Sequence, residues 1–244
     1  TPNVFQVHKL KASLKDLKLF TTSVHDCSYL PSKKAKTLFV DPKFNIDNEL
    51  HTRLNEIGFR RSGAHLYRPH CEDCQQCIPC RVLVNEFQLN RRFQRVMKKN
   101  DDLIVTPVAS ISFDEHYKLY KEYINVRHSE GDMFPPSLDQ YQSFLLTKDE
   151  GTLYLEVRYK GMLVGVMICD RLLNALSAVF TFYNPKLEKR SLGTFAILWQ
   201  IKVASHLKLS YLYLGYWIED CKKMNYKSQF QPHELLYSGG WSRQ

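Results

Sequence analysis

The stretch Thr152–Thr194 reads TLYLEVRYKGMLVGVMICDRLLNALSAVFTFYNPKLEKRSLGT. Three of its runs are rich in β-branched, aromatic and aliphatic residues: Thr152–Arg158, Met162–Asp170 and Ala175–Phe182. Each reads as a strand, and Tyr159-Lys160-Gly161 reads as the turn between the first two. After the third run, a polar loop from Tyr183 passes through Arg190-Ser191-Leu192-Gly193 into an apolar helical stretch, Ser191–His206. A glycine-containing loop that feeds a helix N-terminus is an anion cradle, because free N–H groups and the positive dipole end both face the ligand. The plain alternative is a Ser-capped helix that binds nothing.

Working outward, Ser210–Leu214 reads as a further strand and Glu219–Met224 as the start of another helical stretch. Upstream, Leu103–Val108 is strand-like. Ser112 and Glu115 have the spacing of a capping box, ahead of a stripe made by Phe113, Tyr117, Tyr120 and Ile124. Ser137 and Gln140 open a second helix with Leu138, Tyr141 and Leu145 on its inner side. The order from Leu103 is therefore β-α-α-β-β-β-α-β-α. It matches the acetyltransferase-type (GNAT) α/β fold, whose central helix points its N-terminus at a phosphate-bearing donor.

The first half is less regular. Lys36–Asp41 is strand-like, and Asp47 is placed to cap a helix carrying Leu50, Leu54 and Ile57, with Gly58 at its C-terminus. A basic strand is expected near Arg60–Arg68, a strand over Cys80–Phe87 and a helix over Asn90–Asn100. The organisation expected is a smaller Cys-rich N-terminal domain, residues 1–105, followed by a GNAT-like catalytic domain, residues 106–244.

A length of 244 residues fits one large domain or two small ones at about 100–200 residues each. Hydrophobic residues make up 44% and charged residues 24%, which is ordinary globular usage and not that of a disordered chain. Lys+Arg exceed Asp+Glu by 34 to 25, a formal charge of +9, and the pI is near 9.1. That balance favours a polyanionic partner. No apolar run approaches the ~20 residues of a membrane span. The basic N-terminus, with Lys9, Lys11, Lys15 and Lys18, lacks the apolar block of a secretory signal. Seven cysteines, an odd count, do not read as a secreted disulfide framework. A cytoplasmic protein is the expectation.

Four of those cysteines form Cys71-x-x-Cys74-x-x-Cys77-x-x-Cys80, and Cys27 is available to join them. Thiolates at this spacing can turn onto one ion, as in zinc ribbons and iron–sulfur loops. The bland reading is an inert, reduced thiol patch. Cys169 and Cys221 sit in apolar or helical contexts and read as core thiols. Asn90–Asn100 carries Arg91, Arg92, Arg95, Lys98 and Lys99 with no acid, which suits tracking a phosphate backbone, although a solvated face would look the same. The strand Tyr211–Ile218 ends in Gly215-Tyr216-Trp217, at the end where α/β folds place ligands. CoA-binding acetyltransferases carry Arg/Gln-x-x-Gly-x-Gly/Ala at the helix entrance. Here the run is Arg190-x-x-Gly193-x-Phe195, and a bulky ring stands where the CoA backbone must approach closely.

Taken together, several segments resemble one family. They are Cys27-Ser-Tyr-Leu-Pro31, Gly58-Phe-Arg-Arg-Ser-Gly63, Tyr67-Arg-Pro-His-Cys71, Cys74-x-x-Cys77-x-Pro79-x-Arg81, Tyr183 through Gly193 to Trp199, Tyr213-Leu-Gly-Tyr-Trp-Ile-Glu219 and Cys221-x-Lys-Met224-x-Tyr-Lys227. The chain is similar over most of its length to the bacterial aspartate/glutamate leucyltransferases, relatives of the arginyl-tRNA–protein transferases. Lys33 and Lys34 depart from the pattern, as does the extra Cys80.

The resemblance implies that leucine passes from Leu-tRNA to the N-terminal α-amine of proteins beginning with Asp or Glu, marking them for N-degron degradation. No cofactor is required for that chemistry. An α-amine of pKa about 7.7–8.0 is partly neutral at pH 7 and attacks the activated ester directly. Proximity and an oxyanion donor supply the acceleration. The oxyanion role is expected of the Gly215–Tyr216 backbone or the Tyr216 hydroxyl, with Ser191 at the helix entrance. The acceptor's carboxylate is expected at Arg81 or Arg190, with Lys223 and Lys227 behind them and Gly193, Tyr183 and Trp217 lining the substrates. The basic helix Arg91–Lys99 takes the tRNA. The metal set is Cys27, Cys71, Cys74, Cys77 and Cys80, with zinc or an iron–sulfur cluster in a structural or redox role. Two rivals remain, a CoA-dependent N-acetyltransferase and a non-catalytic RNA-binding metal-sensor module.

Overall fold

In a computed structural model that describes residues 14–146 and 151–244, fourteen strands are built in three sheets. The first stretch holds β1 (Leu19–Thr21), β2 (His25–Asp26), β3 (Lys34–Ala35), β4 (Thr37–Val40), α1 (Asn48–Glu56), β5 (Arg60–Ser62), β6 (His65–Pro69), β7 (Ile78–Leu83) and α2 (Arg91–Lys99). The second holds β8 (Leu103–Val108), α3 (Asp114–Arg127), α4 (Leu138–Leu145), β9 (Thr152–Tyr159), β10 (Met162–Arg171), β11 (Ala175–Tyr183), α5 (Leu192–His206), β12 (Tyr211–Trp217), α6 (Lys222–Asn225), β13 (His233–Tyr237) and β14 (Gly240–Arg243). The order β8-α3-α4-β9-β10-β11-α5-β12-α6 is the one expected of a GNAT-like α/β fold. Lys9 and Lys11 of the basic N-terminus lie outside the described residues.

The large sheet has eight strands in the order β14-β13-β7-β12-β11-β10-β9-β8. Only β11 and β12 pair in parallel; the other neighbours are antiparallel. Its strands β10 and β11 are apolar nearly throughout because both faces are covered. One face packs α5, through Phe195, and α2 over Leu155, Met167, Leu176 and Leu212. The other packs α3, through Tyr120, and α4, through Tyr141, over Val166, Ile168 and Phe182. A smaller sheet, β1-β4-β6-β5, encloses its own core of Val40, Leu50, Leu54, Phe59 and Leu66.

β7 and α2 precede residue 105, yet they belong to the large unit. β7 is hydrogen-bonded between β12 and β13, and α2 packs Phe93 against Phe230 with ring centroids 5.1 Å apart. Burying Phe93 alone contributes about 1.5–3 kcal/mol.

Local signals explain most element ends. Asp47 accepts from Leu50 N at 2.8 Å, Asn90 from Phe93 N at 2.9 Å and Ser137 from Gln140 N at 3.1 Å, so all three cap as their side chains dictate. Gly58 follows α1 with φ +90°, a left-handed conformation that stops the helix. Ser112 does not form the expected capping box. Its amide bonds Ser110 Oγ, the helix starts at Asp114 behind an uncapped Phe113, and Glu115 is drawn to Arg158. The expected strand Arg60–Arg68 is a hairpin, β5–β6, folded at Gly63 with φ +59°. The expected strand Cys80–Phe87 ends at Leu83 and is followed by a single 3₁₀ turn, Val84–Glu86.

Candidate functional site

β11 and β12 pair only from Ala175 to Ser177 and from Tyr211 to Tyr213. Beyond those residues the two parallel strands separate, and α5 begins close to the C-terminal end of β11. The Tyr183 ring packs on Gly193, where a Cβ would lie 3.4 Å from the ring. Ser191 sits in the left-handed region, φ 54° and ψ 47°, and its hydroxyl caps nothing, so the helix entrance is not an ordinary Ser cap. Arg190 reaches away from the cleft. Its guanidinium pairs with both oxygens of Asp102, at 2.7 and 3.0 Å, and lies over the Tyr159 ring.

Phe195 is 1% exposed and packs toward Trp199 with ring centroids 5.6 Å apart. It fills the space beside the first turn of α5, as its bulk in the sequence implied.

The opening between the strands is occupied by a residue that sequence reasoning did not single out. Arg60, from β5, extends its guanidinium across Gly215. A Cβ on Gly215 would stand 3.0 Å from Arg60 Cζ and 3.1 Å from Nε. Gly215 has φ +83° and lies at a register shift in the β12–β7 pairing. Arg60 Nη2 donates to the Ala178 carbonyl, and Nη1 donates to Ser177 Oγ at 3.4 Å. A signal for this was present. Consecutive residues of a strand face opposite sides, so Arg60-Arg61 sends one guanidinium each way. Arg61 bonds Asp170 at 2.6 and 2.8 Å, which leaves Arg60 for the cleft.

Tyr216 is buried, and its hydroxyl donates to the Gly58 carbonyl at 2.8 Å. Its single proton is thus committed, which corrects the expectation that this hydroxyl serves an oxyanion. Burial pushes the phenol well above its ordinary pKa, so it stays protonated. Lys227, 6% exposed, donates to the Tyr216 carbonyl at 2.5 Å. Burial lowers its pKa to about 7, and the charge of Arg60 adds to the effect. Tyr226 is partly exposed nearby, and Trp217 donates Nε1–H to the Asn225 carbonyl at 3.1 Å. Lys223 is exposed on α6 and, after burial, is the largest influence lowering the pKa of His128.

Arg81 is not in the cleft. It is buried, pairs with Glu234 at 2.6 Å and donates to the Tyr213 hydroxyl at 3.2 Å. Its guanidinium carbon lies 3.8 Å from the Tyr211 ring centroid and 4.1 Å from that of Trp241. Both arginines expected to read the acceptor are therefore already paired with carboxylates of the chain itself.

The thiols divide. Cys27, Cys74 and Cys77 pack with Leu30, Ile218 and Cys221, and Cys27, Cys71 and Cys74 all act electrostatically on Cys77. Cys80 stands apart, buried in β7 beside Lys227. Cys80 lies within β7, whereas Cys77 precedes the strand. Four thiols gathered at one corner suit zinc or an iron–sulfur cluster in kind. Among the described residues, no three of the sulfurs lie within 4.8 Å of one another. Burial and the neighbouring thiols push Cys77 up to about 12, so a bound cation would have to displace its proton.

The five cations of α2, Arg91, Arg92, Arg95, Lys98 and Lys99, are all exposed. Arg92 bonds Gln229 and Lys99 bonds the Lys189 carbonyl. Among the described residues none of the five pairs with an acid. No described helix is long and apolar enough to cross a membrane.

Comparison with known proteins matches this architecture to one family. Residues 25–95 match the model of the arginine-tRNA-protein transferase N terminus, and residues 115–237 match that of its C terminus. The chain is 49% identical over 230 residues to an aspartate/glutamate leucyltransferase of Marinobacter nauticus, covering 94% of this chain and 97% of that protein. It is 50% identical to proteins of the same name from Pseudomonas fluorescens and Saccharophagus degradans, over 228 and 229 residues, again covering 93% of this chain and 97% of each. Among solved structures, L-PGS from Bacillus licheniformis aligns with 59% of this chain and 46% of its own, at 11% identity and a TM-score of 0.45, too slight a likeness to build on. The chain belongs to the arginine-tRNA-protein transferase family.

Proposed function

We propose that the protein transfers leucine from leucyl-tRNA to the N-terminal α-amine of proteins that begin with Asp or Glu, which directs them to N-degron degradation. The observation that carries this reading is the near-complete match to the aspartate/glutamate leucyltransferases. The parting of β11 from β12 beside Arg60 and Gly215 and the exposed basic face of α2 support it. In the reaction the neutral amine attacks the ester carbonyl of leucyl-tRNA. A C–N bond forms, the C–O bond to the terminal ribose breaks, and the amine's proton leaves as the ribose oxygen regains one. No nucleophile of the enzyme enters the step. What the chain supplies is approach and orientation, worth up to about 7–11 kcal/mol in favourable cases. The tRNA backbone lies along Arg91, Arg92, Arg95, Lys98 and Lys99. Cys27, Cys71, Cys74 and Cys77 would hold a zinc ion or an iron–sulfur cluster, which would brace the corner beside Tyr216 and take no part in the transfer. The supply of charged tRNA puts the reaction in the cytoplasm.

The test mixes the protein with leucyl-tRNA and a peptide beginning with Asp, and follows the peptide's mass. A gain of one leucyl residue on the Asp peptide, and none on an Ala-start peptide, is the expected outcome. A gain of acetyl from acetyl-CoA would favour the acetyltransferase rival, which the buried ring of Phe195 opposes. Binding of tRNA without any turnover would favour an RNA-binding module.

A further inference from the structure

Four arginines around the large sheet spend their charge on acids of the chain: Arg61 on Asp170, Arg81 on Glu234, Arg158 on Glu115 and Glu156, Arg190 on Asp102, while Arg171 ends β10 in solvent. Arg60 does neither. It is half-buried where β11 and β12 part, and no described carboxylate pairs with it. Its two hydrogen bonds, to the Ala178 carbonyl and Ser177 Oγ, anchor Nη1 and Nη2, and Nε–H makes none. A guanidinium has five N–H donors, so capacity for a bidentate carboxylate remains. The amine of Lys227 is close enough to feel its charge. A half-buried guanidinium with no acid of the described residues beside it is a site that lacks only an anion.

The chemistry of the acceptor says which anion. The side-chain carboxyl of an N-terminal Asp or Glu lies only a few covalent bonds from the reacting α-amine. Its reader must therefore stand inside the cleft, which the far-side position of Arg81 and the outward pairing of Arg190 do not allow.

We infer that Arg60 is the specificity residue of the transfer, taking the side-chain carboxylate of the acceptor's first residue in a bidentate pair. This rests on the transferase reading above. Gly215 is the floor of the subsite, because any side chain there would displace the guanidinium. Asn and Gln at the acceptor N-terminus are rejected because an amide leaves the charge of Arg60 unneutralised.

The experiment compares transfer to peptides differing only in an Asp or Asn first residue, at saturating leucyl-tRNA, for the wild type, Arg60→Gln and Arg60→Lys. Arg60→Gln is expected to cut the Asp-over-Asn preference in kcat/KM by about 30-fold or more while transfer to the Asn peptide persists. Arg60→Lys keeps the charge but loses the fork, and is expected to retain part of the preference. An unchanged preference in Arg60→Gln overturns the proposal, and so does an equal loss on both peptides, which marks a structural role. Should Arg60→Gln fail to fold, an undiminished preference in Arg60→Lys overturns it. A wild type that moves no leucine refutes the transferase reading instead. Arg60 is then judged by calorimetry without tRNA: the wild type should bind the Asp peptide more tightly than the Asn peptide, and Arg60→Gln or Arg60→Lys should narrow that gap. Equal affinity in the wild type overturns the proposal on its own.

Discussion

Lys227 hydrogen-bonds the main-chain oxygen of Tyr216 across 2.5 Å, at the point where β12 runs out beneath the cleft. The bond ties the turn after α6 to the strand that carries Gly215, through an amine shut away from water. Burial brings the pKa of that amine to about 7, and the nearby Arg60 pushes in the same direction, while the thiols of Cys80 and Cys221 oppose it. An unfolded lysine titrates near 10.4. Between those two values the unfolded chain holds a proton that the fold has released, so this group makes stability rise with pH across the window from about 7 to about 10.4. Below about pH 7 the fold carries a buried charge and the gain is gone. Lys227→Met removes this dependence. Urea midpoints taken at about pH 6 and about pH 9 should diverge between wild type and variant, with the wild type gaining more on the alkaline side. Parallel profiles would mean that the amine is hydrated and titrates normally.

The reach of the sequence is seen by setting Gly193 beside Arg60. The alternation and the 3.6-residue periodicity from Leu103 onward are local, and they gave the order of strands and helices down to the Tyr159–Gly161 turn. Gly193 and Phe195 were legible because their meaning depends on a helix entrance a few residues long. The partners of a strand are not local. Nothing in Ile78–Leu83 announces that it inserts between β12 and β13, carrying the chain's N-terminal half into the main sheet. The same holds for the paired arginines. Arg81 looked free in the sequence because Glu234, 153 residues away, is brought to it only by that insertion. Arg60 looked ordinary because its role depends on a hairpin register and on a bulge in a distant strand.

That difference separates Arg81 from a substrate reader in the test tube. Arg81→Ala strands Glu234 in a half-buried setting and removes the cation packed between Tyr211 and Trp241. A loss of about 3 kcal/mol or more in unfolding free energy is expected from breaking such a pair. Arg190→Ala gives up a more exposed pair with Asp102 and should move the denaturant midpoint less. Both variants should keep the Asp-over-Asn preference of the wild type. A folded Arg81→Ala protein that no longer distinguishes the two peptides would return the reading of the carboxylate to Arg81 and away from the cleft.

The basic face of α2 is open to a test that separates binding from folding. Phe93 and Val96 fasten the helix to the core, whereas Arg91, Arg95 and Lys98 project into solvent without an acid to neutralise them. Replacing those three with Gln leaves the buried packing intact, and surface changes of that kind shift stability by about 0.5 kcal/mol or less. If the three cations meet phosphates, each releases counterions on binding, and affinity falls with salt in proportion to the number of phosphates engaged. The triple variant should therefore bind leucyl-tRNA more weakly at every salt concentration. Its plot of log affinity against log salt should be shallower by about one for each phosphate no longer neutralised, and so by up to about three. The preference for Asp over Asn should not move, because the acceptor is read in the cleft. A salt slope identical to that of the wild type would place the tRNA on another surface and leave α2 as a solvated face.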